Sequence, residues 1–115
     1  MSIVKLNKNA EFKRLYKRGN SLIGKYMIIY VHPNKRGHNR IGITVSKKLG
    51  CAVVRNRVRR LILESFRLSL PEYKKGYDFV IVGRSRCIRA KMPEVRQNMD
   101  ELMKKGGYMN VSDKA

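Results

Sequence analysis

Apolar residues along the chain recur at two periods, and the switch between them lays out the elements. Phe12, Leu15 and Tyr16 fall on one face of a predicted helix, with Lys13, Arg14, Lys17 and Arg18 on the other. Asn7 or Asn9 is placed to cap that helix and Gly19 to end it. Ser21–Ile23 reads as a short edge strand stopping at Gly24, and Tyr26–His32 as the first strong strand. Its alternation sets Tyr26, Ile28, Tyr30 and His32 against Met27, Ile29 and Val31. Pro33–Asn39, rich in turn formers, reads as a hairpin loop, and Arg40–Ser46 as the return strand. On that strand Ile41, Ile43 and Val45 oppose Gly42, Thr44 and Ser46; small polar groups beside two tyrosines suit a shallow groove for something flat. Tyr77–Gly83 is almost wholly apolar, as expected of a strand buried on both faces. Pro93 opens a last helix whose stripe is Val95, Met99, Leu102 and Met103; Gly106-Gly107 ends it, and a frayed tail is expected from Tyr108 onward.

Between the return strand and Tyr77 lies the stretch that dominates the chain, Ser46–Arg67. Val54, Val58, Leu61, Ile62, Ser65 and Phe66 trace one arc of a helix that ends before Pro71. Asn56 and Arg60 point the opposite way, with Arg55 and Arg59 on one flank and Arg57 on the other. Like charges at i,i+4, such as Arg55 and Arg59, weaken an isolated helix, and a polyanion relieves that repulsion. Arginine also grips phosphate through a planar fork that lysine lacks. The element order is therefore α-β-β-β-α-β-α: an α/β chain with a mixed four-stranded sheet and helices packed on it. It is read as a single domain, 1–115, with an ordered core of about residues 6–106.

Charge sharpens this reading. The chain of 115 residues has a formal charge of +19 and a pI near 10.6. Between Glu11 and Glu64 stand fourteen Lys and Arg and not one acid, so this is no surface of interspersed signs tuned for solubility. The partner implied is strongly anionic, nucleic acid or an acidic membrane. No apolar run approaches the roughly 18 residues of a spanning helix, and the cations are spread over several elements rather than one amphipathic strip; no membrane role is expected. MSIVKLNKNAEF lacks the apolar region of a secretory signal. Cys51 and Cys87 are too few and too far apart for a zinc site or disulfide framework, and are read as reduced thiols of a cytoplasmic protein.

Protein-borne phosphodiester hydrolysis calls for clustered carboxylates around metal ions or a histidine acid/base pair. The acids are Glu11, Glu64, Glu72, Asp78, Glu94, Asp100, Glu101 and Asp113, with no paired arrangement among them. Glu64 is the natural counter-charge of its own helix, to Arg60 or Arg67. His32 and His38 flank a loop, where a histidine is usually a solvated side chain. No catalytic residue and no metal ligand is assigned.

The run KKLGCAVVRNRVRRLI, preceded by RIGITVS and followed by ESFR, resembles the arginine-rich signature of the protein subunit of bacterial ribonuclease P. NAEFKRLYKRG and YDFVIVGR extend the resemblance over roughly Leu6 to Met103. The resemblance implies an α+β two-layer sandwich, ribosomal-protein-like, with a left-handed βαβ crossover through the basic helix. It implies assembly with a catalytic RNA that removes the 5′ leader of precursor tRNA, magnesium serving the RNA, no cofactor on the protein, and no protein partner required. By position it assigns Lys47, Lys48, Arg55, Asn56, Arg57, Arg59 and Arg60 to the catalytic RNA. It assigns Phe12, Tyr16, Ile28 and Tyr30 to a cleft for the single-stranded leader, where ring stacking tolerates any base. Leu63 departs from the pattern, standing where many members carry a basic or polar residue. The alternative that charge alone allows is a ribosomal or other structural RNA-binding protein without a processing role, which gives no reason for an aromatic cleft. A DNA-reading helix would need base-reading side chains along one exposed line, and only Asn56 and the arginines are there.

Overall fold

The computed structural model describes residues 3–110, and its architecture follows from one strand. YDFVIVG forms β5 (Tyr77–Gly83), in which Phe79, Val80 and Ile81 are fully buried although successive side chains point to opposite faces. Such a strand needs cover on both faces and partners on both edges. It receives β3 (Met27–Pro33), antiparallel from Met27↔Gly83 to Pro33↔Tyr77, and β4 (Arg40–Thr44), parallel from Arg40↔Asp78 to Thr44↔Val82. β2 (Asn20–Ile23) pairs with β3 on the outside. At the far edge β1 (Val4–Lys5) runs parallel to β4, and Leu6 N–H donates to the Ile41 carbonyl at 2.8 Å. The order is β1-β4-β5-β3-β2.

Two expectations are thereby corrected. The sheet has five strands rather than four, because a two-residue strand too short to show any alternation precedes the first helix. Pro33–Asn39 is not a hairpin loop: β3 and β4 flank β5 and do not touch as neighbours. The demand of β5 for two partners overrides the local turn chemistry.

The helices are α1 (Asn9–Arg18), α2 (Ala52–Ser69) and α3 (Met92–Gly106). Residues Val58, Ile62 and Phe66 of α2 and Val95, Met99 and Met103 of α3 close over Met27, Ile29, Val31, Phe79 and Ile81 to make the main core. Phe66, Tyr73 and Phe79 pack there as a tilted ring cluster, with centroids 5.6 to 6.2 Å apart. The opposite face holds a smaller cluster of Leu6, Leu15 and Val80, with Phe12, Tyr30 and Val82 partly covered. Among the described residues α1 is the helix on that side. Its N-terminal turn meets β4 at Arg40, and the chain leaves its C-terminus into β2. Ile28, Thr44 and Val82, level with one another in the ladder, are left half-covered.

Local details differ from expectation where a better partner exists. Neither Asn7 nor Asn9 caps α1; the Glu11 side chain reaches back to accept from Lys8 N–H at 3.3 Å. Ser46 leaves the strand, and its hydroxyl oxygen accepts from Lys48 N–H at 3.2 Å to cap a 3-10 turn, Lys47–Leu49. Gly50, at φ 144, separates that turn from α2 in a conformation few side chains tolerate. Tyr108–Asn110 are paired rather than frayed: Lys74 N–H donates to Tyr108 O and Asn110 N–H to Glu72 O, each at 2.7 Å. The rest of the expected tail lies outside the described residues. Both cysteines are free, Cys51 exposed at the start of α2 and Cys87 buried with its thiol pushed up to about 11 by desolvation.

The small face depends on one cation. Arg40 donates through Nε and Nη2 to Asp78 at 2.8 and 2.7 Å and through Nη1 to Glu11 at 2.6 Å. These side chains are nearly enclosed, at 11% exposure for Arg40, 8% for Asp78 and 16% for Glu11. Burial by itself raises the Asp78 carboxyl, but Arg40 and the Asn34 amide outweigh it and hold the group below its usual range. Burial likewise raises Glu11 and is outweighed by Arg40 and the backbone N–H groups of Lys8 and Asn7. With both folded pKa values depressed, their contribution is present above the ordinary carboxylate range and is lost as pH falls through it. The urea midpoint should therefore fall between about pH 5 and pH 3. Arg40→Met, which leaves Asp78 buried without its charge partner, should cost about 3–5 kcal/mol at pH 7 and flatten that acid limb.

Candidate nucleic-acid interface

Tyr16 and Tyr30 face each other across α1 and β3 with ring centroids 5.0 Å apart and planes at 83°, the edge-to-face arrangement aromatic quadrupoles prefer. The Tyr16 hydroxyl is 2.9 Å from Thr44 Oγ1, so one side chain ties the helix to two strands. Tyr16 is nevertheless 41% exposed, and Ile28, two residues from Tyr30 on the same strand face, is half-covered. Tyr16, Tyr30, Ile28 and Thr44 thus form a shallow trough on the uncovered half of the sheet. Phe12, one turn earlier on α1, packs with Tyr30 against the same small apolar cluster. Its ring tip rests on Gly42, where an added Cβ would lie 2.5 Å from Cζ. The four residues assigned to one cleft lie on the same side of the sheet, with Thr44 in contact with Tyr16 and Gly42 under Phe12, partners that side-chain pattern alone did not identify.

Phe12 also borders a groove of about 410 Å³, whose other walls are Lys5, Leu6, Ile41, Gly42 and Ile43 from the β4 edge and Asn56, Arg59, Arg60 and Leu63 from α2. This groove joins the α1 face to the basic helix. Leu63, the residue that departs from the signature, is half-buried there as apolar wall. Asn56 and Arg59 lie on the groove side, where Arg59 Nη1 donates to Asn56 Oδ1 at 3.3 Å. Arg55 Nε donates to the Gly50 carbonyl at 3.2 Å, bracing the bend before the helix. Among the described residues Lys47, Lys48 and Arg60 have exposed side chains with no hydrogen-bond or ion-pair partner. Arg57 is different: its guanidinium is forked onto the carbonyls of Ile88 and Ala90, the latter at 3.0 Å.

Acids are few and mostly engaged. Glu64 pairs with Arg67 at 2.7 Å, one of the two partners expected for it. Asp100 accepts from Tyr73 Oη at 2.8 Å and Ser69 Oγ at 3.2 Å. Burial, then the Asp100 carboxylate, keeps the Tyr73 phenol protonated. Glu94 accepts from Lys91 N–H at 2.9 Å. Among the described residues no three His, Cys, Asp or Glu are gathered as metal ligands, and no helix is long and apolar enough to cross a membrane. Among the described residues the geometry offers positioning groups and unpaired positive charge.

A family model described as Ribonuclease P matches residues 2–107. The ribonuclease P protein component of Clostridium acetobutylicum is 42% identical over 112 residues, spanning 96% of this chain and 94% of its own. That of Thermoanaerobacter pseudethanolicus is 44% identical over 103 residues, covering 90% of this chain and 89% of the relative. Among solved structures, the Staphylococcus aureus RNase P protein superposes with a TM-score of 0.83 at 31% identity, over 95% of this chain and all of that one (100%). The Thermotoga maritima RNase P protein gives 0.81 at 30% identity, over 88% and 96%.

The contact of Phe12 with Gly42 is directly testable. Gly42→Ala places a methyl against a ring backed by α1 and should destabilise by about 1–3 kcal/mol, the usual effect of overpacking. Phe12→Leu on the same background should recover part of the loss in a urea melt, because the shorter side chain vacates the contact.

Proposed function

The chain belongs to the ribonuclease P protein family, and from that premise we propose how its surfaces divide the work of a tRNA-processing ribonucleoprotein. The cations Lys47, Lys48, Arg55, Arg59 and Arg60 of α2 and the turn before it, with the Asn56 amide among them, lie against the catalytic RNA. The trough and its neighbour, Tyr16, Tyr30, Ile28 and Phe12, hold the single-stranded 5′ leader of precursor tRNA. The groove of about 410 Å³ between Phe12 and Arg59 makes the two surfaces continuous, so that both RNAs meet on one flank of the protein. Leader and catalytic RNA repel one another through their phosphates, and the cations of α2 offset that repulsion where the strands converge. The reading of the charge as that of a ribosomal or other structural RNA-binding protein gives way to the family match.

Cleavage itself belongs in this proposal to the RNA, with magnesium held there and not by the polypeptide. What supports this is the employment of the acids: Glu11 and Asp78 hold Arg40, Glu64 holds Arg67 and Asp100 holds Tyr73 and Ser69. The protein contributes affinity and orientation, in the cytoplasm where precursor tRNA is made.

The observation that carries the leader assignment is the uncovered half of the sheet face beside Tyr16 and Tyr30. Reconstitution with the cognate catalytic RNA and precursor tRNAs of graded leader length tests it. Substrate affinity should rise with a leader of several nucleotides, and Tyr30→Ala should lose about 1–3 kcal/mol of that gain, the worth of one stacked base. Equal stimulation of leaderless and leader-bearing substrates would reject the trough as the leader site. For the basic helix, Arg60→Ala should lower the log–log salt slope of association with the catalytic RNA by about 0.7–0.9, one phosphate contact. An unchanged slope would remove Arg60 from that interface.

A further inference from the structure

Arg57 sits in the middle of the arginine signature and is exposed like Arg60, yet unlike Arg60 its guanidinium is engaged by two backbone carbonyls. Its Nη1 donates to the Ile88 carbonyl and its Nη2 to the Ala90 carbonyl at 3.0 Å. Both carbonyls stand at the end of the 3-10 turn Ser85–Arg89 that links β5 to α3. The last carbonyls of such a turn have no partner within it and need one from outside. A planar fork with parallel N–H groups reaches two of them at once, which a lysine ammonium does not. The start of the turn is held by Arg84, which donates through its backbone N–H to the Tyr26 carbonyl at 3.0 Å and through Nη1 to the Gly24 carbonyl at 2.8 Å, and Cys87 and Ala90 are buried; Arg57 is the side-chain tie at its end.

The turn so held carries Arg86 and Arg89, exposed and without a hydrogen-bond or ion-pair partner among the described residues. The one acid lining the same groove is Glu94, whose carboxylate accepts from Lys91 N–H at 2.9 Å and Tyr26 Oη at 3.4 Å. On the other side Arg57 shares a groove wall with Arg60. That wall also holds Glu64, which is paired with Arg67; Arg57 thus joins the arginines of α2 to the turn bearing Arg86 and Arg89 through its two carbonyl contacts.

We propose that Arg57 is a positioning residue, and that Arg86 and Arg89, held in place by it, extend the basic face of α2 as a further contact for the phosphodiester backbone of the catalytic RNA. The proposal rests on the reading of α2 as the catalytic-RNA face. It separates Arg57 from the neighbours whose charge meets phosphate directly.

A double-mutant cycle decides it, read as association of the full-length protein with the catalytic RNA across a salt series. Arg57→Ala and the pair Arg86→Ala/Arg89→Ala should each weaken association and lower the salt slope, the pair by about 1.4–1.8 for two phosphate contacts. Adding Arg57→Ala to the pair should cost nothing further, since the groups it positions are already gone. Arg57→Lys, which keeps the charge and loses the fork, should behave like Arg57→Ala. Equal losses from Arg57→Ala in both backgrounds, or full rescue by lysine, would make Arg57 a direct phosphate contact and overturn the proposal. So would a pair variant that binds like the parent, or one that fails only with precursor tRNA present. Arg57→Gln, which keeps side-chain donors, serves in place of alanine if thermal melting shows the alanine variant unfolded. A loss of binding confined to Arg57 and the pair, with Arg59→Ala and Arg60→Ala unaffected, would reject α2 as the interface and the proposal's premise with it.

Discussion

A strand with apolar side chains on both faces must be enclosed from both, and β5 imposes that requirement where the described residues form three α-helices. α2 and α3 satisfy it on one face through the larger core. On the other, α1 alone is available, and its ten residues cover part of the sheet. The incomplete cover leaves Ile28, Tyr30 and Thr44 reachable beside Tyr16. The trough is thus a consequence of unequal supply of helix to the two faces, and it needs no dedicated insertion. Arg40 makes the arrangement durable. With so small an apolar cluster under α1, the paired carboxylates of Glu11 and Asp78 fix its N-terminal turn to β4 and β5, and thereby fix where Phe12 and Tyr16 stand.

Electrostatics and packing divide the arginines by employment. Arg40 is internal and neutralised by two acids, Arg67 is matched on its own helix, and Arg57 is bound to backbone carbonyls. Cations without a side-chain partner among the described residues remain on several elements, among them Lys13, Arg14, Lys17 and Arg18 on α1, Lys47 and Lys48 before α2, Arg60 on it, and Arg86 and Arg89 on the turn after β5. A formal charge of +19 opposes compaction of the isolated protein, and the opposite charge of an anionic partner relieves that opposition. Binding and stability are coupled for that reason.

Much of this was legible in the residues. The periods of 2 and 3.6 located β2 to β5 and all three helices, the doubly apolar run identified the central strand, and the stripes of α2 and α3 named the buried residues. Glu64 was readable as a local counter-charge because its partner lies on the same helix. What escaped was long-range. The turn formers of Pro33–Asn39 report where the chain bends but not which strand enters beside it. Val4–Lys5 is too short to show a period, and the bridge between Tyr73 and Met109 joins segments without any shared pattern. Arginines on α2 are alike in sequence; that Arg57 meets two carbonyls and Arg60 none depends on what the fold sets opposite each. Gly42 was readable as part of a flat surface, whereas its role as the seat of the Phe12 ring was not.

The placement of β5 between two strands that precede it also bears on how the molecule is made. β3 and β4 leave a gap that stays vacant until a segment more than thirty residues later arrives to fill it. During synthesis both inner edges carry unpaired amides, and α2 has emerged before the sheet it packs on exists. The β2–β3 pair is local and can form first, but closure of the gap is a non-local event, so the central sheet and main core should form together and late. Until then the nascent chain exposes two sticky β-edges, and the density of cations along it serves a second purpose by keeping such chains apart.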